Sequence, residues 1–252
     1  GRVGALALSL KETTRYYLNE ARNWERQVLI RSRCSAGSTE IFRRFHESVE
    51  SAVYDRDLDP AAALEEVFRS KKKIDEESSD AYYNVKLGRG GIREIEFIAQ
   101  ALQLAFGGRD RWLRAPHTLI SLSRLTDRGY LTETEHTELS SAYDLLRRLE
   151  HLLQMEHGLQ THTLPSESEK LELLARKAGF IDAAGLKREL DAATNAVHRI
   201  FLRVFGEDAA HARLGGLGPG DTADKAARIE LSAPPLAAET LAARVVAAIE
   251  KF

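Results

Sequence analysis

The chain has 252 residues, room for one large domain or two small ones, and enough to bury a core without disulfides or metal. Its 36 lysines and arginines nearly balance 38 aspartates and glutamates, and the net charge of −2 gives no electrostatic ground for general nucleic-acid or membrane binding. Apolar residues at 43% exclude global disorder, and the single cysteine, Cys34, excludes an internal disulfide framework and a cysteine-based zinc site. No apolar run approaches the ~18 residues that would span a bilayer, and no signal peptide is visible, so a cytoplasmic protein is expected. The chain begins at Gly1 and its only methionine is Met155, so it is expected to be a piece of a longer protein.

Ala5, Leu6, Ala7, Leu8 and Leu10 form a short apolar run around Ser9 and predict one β-strand, a stub separated from its sheet. Helical periods then take over. Lys11 to Asn23 and Trp24 to Arg31 read as helices, as does Ser38 to Val53 with Ser38 as its cap. Asp59-Pro60 opens another, because proline suits a first helical turn. It runs toward Ile74 into the charge block Lys71-Lys72-Lys73 and Asp75-Glu76-Glu77, read as a solvated face.

Gly90-Gly91 opens a helix that Gly107-Gly108 stops after Phe106. A shorter one spans Thr118 to Arg128. The longest covers Thr132 to His157, with Leu139, Ala142, Leu146, Leu149 and Leu153 at three-four spacing. Ser166 to Ala178 and Asp182 to Phe205 follow, parted by Gly179. Gly215-Gly216, Gly218-Pro219-Gly220 and Pro234-Pro235 then mark 206–236 as a flexible linker, and 237–252 reads as a terminal amphipathic helix. The expected fold class is all-α: an antiparallel helical bundle with a short N-terminal β-strand stub and a flexible C-terminal linker.

Three patches carry candidate chemistry. Lys86-Leu87-Gly88-Arg89-Gly90-Gly91-Ile92-Arg93 is a basic, glycine-rich approach to a helix. Lys86, Arg89, Arg93 and the amides of Gly90 and Gly91 could receive an anion. The same spacing describes a tight helix-entry turn, which spacing alone favours; it is neither a Walker loop nor a dinucleotide fingerprint. Second, Arg93, Glu96, Gln100 and Gln103 form one polar stripe on an otherwise apolar helix, and Arg147, Glu150, His151 and Gln154 form another on the long helix. Buried stripes need partners, so Glu96 or Arg93 is expected to reach Arg147, Arg148 or Glu150, a structural polar layer of Glu96, Arg147, Glu150 and His151. A metal reading of Glu150, His151 and His157 lacks the second carboxylate–histidine motif of a bundle metal site. Third, Trp24-Glu25-Arg26-Gln27 leads to Arg31 and Arg33, and Lys11 to Arg44 holds eight basic residues against four acidic ones. That surplus suits either a polyanionic ligand or an exposed helix face.

The run Lys86 to Phe97, KLGRGGIREIEF, resembles the signature of the bacterial glutamine synthetase adenylyltransferase/adenylyl-removing enzymes. Trp24-Glu25-Arg26-Gln27 with Arg31 looks like the segment following that family's first nucleotidyltransferase domain. Leu146-Arg147-Arg148-Leu149-Glu150-His151 and Gln160-Thr161-His162-Thr163-Leu164-Pro165 resemble a third block in the same order. The related PII uridylyltransferases share the glycine-rich turn but usually continue it with Leu-Arg-Asp, whereas Ile92-Arg93-Glu94-Ile95-Glu96 favours the adenylyl enzymes. Asn84 stands where the family commonly has aspartate.

The resemblance implies a parent enzyme that attaches AMP from ATP to glutamine synthetase and removes it, using magnesium held by a carboxylate trio beside a Gly-Ser turn. No such turn with a following Asp-x-Asp occurs in this sequence. Residues 1–33 would be the closing edge of a nucleotidyltransferase domain and 34–205 a helical domain, with no catalytic residue assigned and no ATP or magnesium expected on this chain alone. Implied partners are glutamine synthetase, the PII signalling protein and the adjacent nucleotidyltransferase domains. The alternative is a regulatory helical module that senses PII or glutamine; a nucleic-acid binder is disfavoured by the net charge.

Overall fold

The computed structural model describes residues 7–77, 83–157 and 161–205. Nine α-helices carry these residues: α1 (Leu10–Asn19), α2 (Asn23–Val28), α3 (Thr39–Val53), α4 (Pro60–Glu77), α5 (Ile92–Phe106), α6 (Thr118–Asp127), α7 (Glu133–His157), α8 (Ser168–Lys177) and α9 (Ala183–Phe205). The fold is all-α. Among the described residues, extended pairing is limited to one antiparallel bridge, Asn84 with Thr163.

The predicted strand is corrected where it can be seen. Ala7, Leu8 and Ser9 form no strand, and Leu10 is already the first residue of α1. Ser9 decides the matter: its side chain accepts from the Glu12 amide while the Glu12 carboxylate accepts from the Ser9 amide, a closed capping box. Ala5 and Leu6, the linker 206–236, the terminal helix 237–252 and Gln160 lie outside the described residues, as do the side chains of the 71–77 charge block.

The other helix signals act locally as expected. Ser38 accepts from the Ile41 amide at 3.3 Å to start α3, and Pro60 starts α4. Gly91 is the N-cap of α5 and Gly107 its C-cap. Patterning did not find the 3-10 turn Arg111–Leu113, held by a buried glutamine of α5: Gln103 donates to the Leu113 and Ala115 carbonyls at 2.7 and 2.8 Å.

Two cores result. The larger is built on α5, whose Ile92, Ile95, Ile98 and Leu102 are fully buried, and which packs against α4, α6, α7 and α9. The α7 residues picked out by spacing, Leu139, Ala142, Leu146, Leu149 and Leu153, are all buried in it. The smaller core holds Leu29, Ile30, Val49, Val53 and Tyr54, where α3 meets the chain after α2. Helix α1 contributes no buried residue and reaches this core through Tyr17, whose ring meets Phe45 edge-on at 5.5 Å.

Helices α5 and α7 run in opposite directions. Before α5, the Val85 amide donates to the His162 carbonyl at 2.8 Å, and the Leu164 amide to the Tyr83 carbonyl at 3.0 Å, which ties the start of α5 to the segment after α7. At the far end Phe106 stacks on Tyr130, just ahead of α7, with centroids 4.2 Å apart.

Candidate functional site

The glycine-rich approach to α5 is rigid by construction. Asn84 accepts from the amides of Lys86 and Leu87 at 3.0 and 2.9 Å, an Asx turn that an aspartate would also make. Gly90 has φ +71°, and a Cβ there would come within 2.0 Å of the Thr194 carbonyl oxygen. The loop is therefore seated directly on the backbone of α9. Arg89 donates to Asn195 at 2.9 Å, and the Tyr83 hydroxyl donates to the Arg89 carbonyl at 3.1 Å. Burial raises the pKa of that phenol well above the ordinary tyrosine value.

At the start of α5 the chain makes the tight helix-entry turn that spacing favours, and three amides there are engaged within it. The Gly91 amide donates to the Gly88 carbonyl at 2.8 Å, Ile92 to Val85 at 3.0 Å and Arg93 to Lys86 at 3.0 Å. The loop curls back far enough for its own carbonyls to take the first-turn amides.

Behind the loop sits a buried carboxylate. Glu150 on α7 is 1% exposed. It pairs with Arg147 one turn earlier, with Lys86 Nζ at 3.5 Å and with His162 Nδ1 at 3.2 Å. Burial and the positive charge of Lys86 lower the pKa of His162, with Arg147 acting the same way and Glu150 opposing. The ring is thus neutral near pH 7, and we assign its Nδ1–H to Glu150. His151 is exposed, its Nε2 3.4 Å from Arg147 at the outer edge of the cluster. The side chain of His157 lies outside the described residues.

The second stripe meets different partners from those expected. Glu96 on α5 pairs with Arg31, not with α7, and Gln100 accepts from Gln27 at 2.8 Å. Burial alone would lower the pKa of Arg31, but Glu96 outweighs it and Tyr143 of α7 adds to the rise. Arg148 turns away, donating to Asp144 at 2.9 Å and to the Ala178 carbonyl at 3.2 Å. The physical reason is that Arg31 arrives from 65 residues upstream, takes the Glu96 carboxylate and also interacts with Tyr143 of α7. Arg93 is stacked over Phe97, 5.2 Å from the ring centroid, and its buried Nε has no hydrogen-bond partner. A further pair went unread: Glu94, buried on α5, lies 3.1 Å from His198 on α9. The i,i+3 and i,i+4 patterns carry no signal for contacts at that separation.

Among the described residues no group of three or more histidine, cysteine, aspartate or glutamate side chains could hold a metal ion. The described residues therefore do not fit a magnesium site. No helix among them is long and apolar enough to cross a membrane.

The described residues are helical, with the glycine-rich loop seated on α9, and the sequence matches two nucleotidyltransferase family models. Residues 61–205 match the family described as GlnD PII-uridylyltransferase, and residues 1–48 match that described as glutamate-ammonia ligase adenylyltransferase. Proteins named bifunctional glutamine synthetase adenylyltransferase/adenylyl-removing enzyme are similar over most of the chain. That of Rhodopseudomonas palustris HaA2 is 38% identical over 208 residues, 81% of this chain and 21% of the relative. That of Aromatoleum aromaticum is 39% identical over 211 residues, 82% of this chain and 22% of the relative. That of Methylococcus capsulatus is 39% identical over 218 residues, 84% and 23% respectively. The chain belongs to the GlnD PII-uridylyltransferase family by its match over residues 61–205, and over most of its length it is similar to the glutamine synthetase adenylyltransferase/adenylyl-removing enzymes. It spans about a fifth of the length of the curated relatives it matches.

Proposed function

We propose that this chain is the helical region of an enzyme that adenylylates and deadenylylates glutamine synthetase and so controls nitrogen assimilation. The observation that carries this reading is 38% identity across 81% of the chain to a relative bearing that name. In it, residues 1–33 are the closing edge of a nucleotidyltransferase domain, and 34–205 form an antiparallel helical bundle that holds that domain and conveys regulatory state to it. ATP, magnesium and glutamine synthetase are substrates and partners of the longer protein, which works in the cytoplasm. PII is a candidate effector of the helical region.

The test is AMP transfer to glutamine synthetase from ATP and magnesium, run with the 252-residue chain and with the full-length protein that contains it. The full-length protein should transfer AMP and, with phosphate, release it as ADP; the chain alone should do neither. Turnover by the chain alone would overturn its assignment as non-catalytic, and inactivity of the full-length protein in both directions would overturn the enzyme reading. The family match over residues 61–205 favours a second reading, a PII uridylyltransferase. UTP and PII in the same assay separate the two.

A further inference from the structure

Four cations line one seam between α5 and α7. Arg31 pairs with Glu96 of α5 and interacts with Tyr143 of α7. The Arg93 amide, one turn before Glu96, donates to the Lys86 carbonyl at 3.0 Å. The Lys86 ammonium in turn reaches Glu150 of α7, the carboxylate that Arg147 also holds, so Lys86 links the Arg93 end of α5 to the Arg147 end of α7.

The charges along the seam do not cancel. Lys86, Arg31, Arg93 and Arg147 face two carboxylates, Glu96 and Glu150, and both carboxylates are buried with their capacity already engaged. The cations are not buried: the side chains of Arg31, Arg147 and Lys86 are 39, 37 and 34% exposed. Arg93 is in excess even within this group. Among the described residues no carboxylate pairs with it, its Nε is an orphaned buried donor, and Phe97 holds its guanidinium by the face. A planar guanidinium fixed by stacking, with donors still to satisfy, is suited to forked contact with a phosphoryl oxyanion.

We infer that the α5–α7 seam is a binding site for a phosphate-bearing anion, with Arg93 and Arg147 as its forks and Lys86 and Arg31 as flanking charges. This inference concerns the chain's own surface and does not depend on the enzyme reading above.

The experiment is calorimetric titration of the 252-residue chain with sodium tripolyphosphate, inorganic phosphate and a poly-glutamate peptide at matched ionic strength. Tripolyphosphate should bind saturably and at least tenfold tighter than inorganic phosphate. Arg93→Gln should weaken it at least tenfold with only a slight fall in melting temperature, since removing Arg93 breaks no ion pair and loses only its stack on Phe97. Lys86→Gln, a second route should Arg93→Gln misfold, should weaken it about threefold. Arg43→Gln should leave it unchanged, because that arginine pairs only with Glu40 and Glu47 of its own helix. No saturable binding, equal loss in Arg43→Gln, full binding by Arg93→Gln, or equal affinity for the peptide would each overturn the site.

Discussion

The region from α1 to α3 and the region from α5 to α9 are made of similar amphipathic helices, yet they are held by different means. In the second, α5 is buried along most of its length and the core is continuous from Val67 to Val204. In the first, α1 buries nothing, and the core is five residues around α3. The join between them has one apolar residue, Leu104 of α5, packed against both cores, and otherwise relies on polar ties: Arg31 to Glu96, Gln27 to Gln100, and Arg111 and Arg114 to Glu50. Apolar burial is cooperative and hard to undo in part, whereas a set of polar ties can release one region and leave the other folded. The N-terminal region is thus latched to the larger core more than fused with it.

Two glycines with positive φ give the largest contrast. Gly90→Ala puts a methyl group into the Thr194 backbone and should cost about 4 kcal/mol, combining backbone strain with overpacking. Gly37→Ala, with φ +83° and open space around the Cβ position, should cost only about 1 kcal/mol of backbone strain. Urea midpoints at constant m-value check both, and equal costs would dissolve the distinction between the regions.

Next in size is the latch itself. Arg31→Ala leaves the Glu96 carboxylate buried and unpaired and should cost about 2 kcal/mol, discounted from a fully buried pair because Arg31 is 39% exposed. Amide exchange should accelerate throughout α1 to α3 and stay unchanged in α7 to α9. Uniform acceleration across both would mean one cooperative unit.

The smallest effect is on pH dependence, and it belongs to the larger region. The pKa of His162 is lowered from 6.5 in the folded chain, so the unfolded chain binds the extra proton first as pH falls. Stability contributed by the neutral ring is complete above pH 6.5 and is lost as pH falls through the lower folded value. His162→Gln should flatten the stability profile below pH 6.5 and leave it unchanged above; an unaltered slope would show that other groups set it.

The helices of both regions were legible in the sequence to the extent that their signals were local. Caps at Ser38 and Gly91, the proline at Pro60 and the leucine spacing of α7 each act within a few residues, and the helices follow. From Ala7 to Leu10 the apolar run is no guide to a strand, because the Ser9–Glu12 capping box, visible at i and i+3, starts a helix there. Polar partners were another matter. Both stripes were identified as needing partners, but Arg31, Lys86 and His162 come from three distant segments and enter from loops or helix ends, where no period operates.

The bridge of Asn84 with Thr163 gives the chain a property of a different kind. Residues 83–85 lie beside 162–164, so the stretch containing α5, α6 and α7 leaves and returns at one point. A segment whose ends meet can be lengthened at its far turns without moving anything outside it, because insertion there adds only slowly growing loop-closure entropy. Evolution could therefore enlarge this lobe as a cassette, adding surface at the α6–α7 turn, and leave α4 and α9 in register.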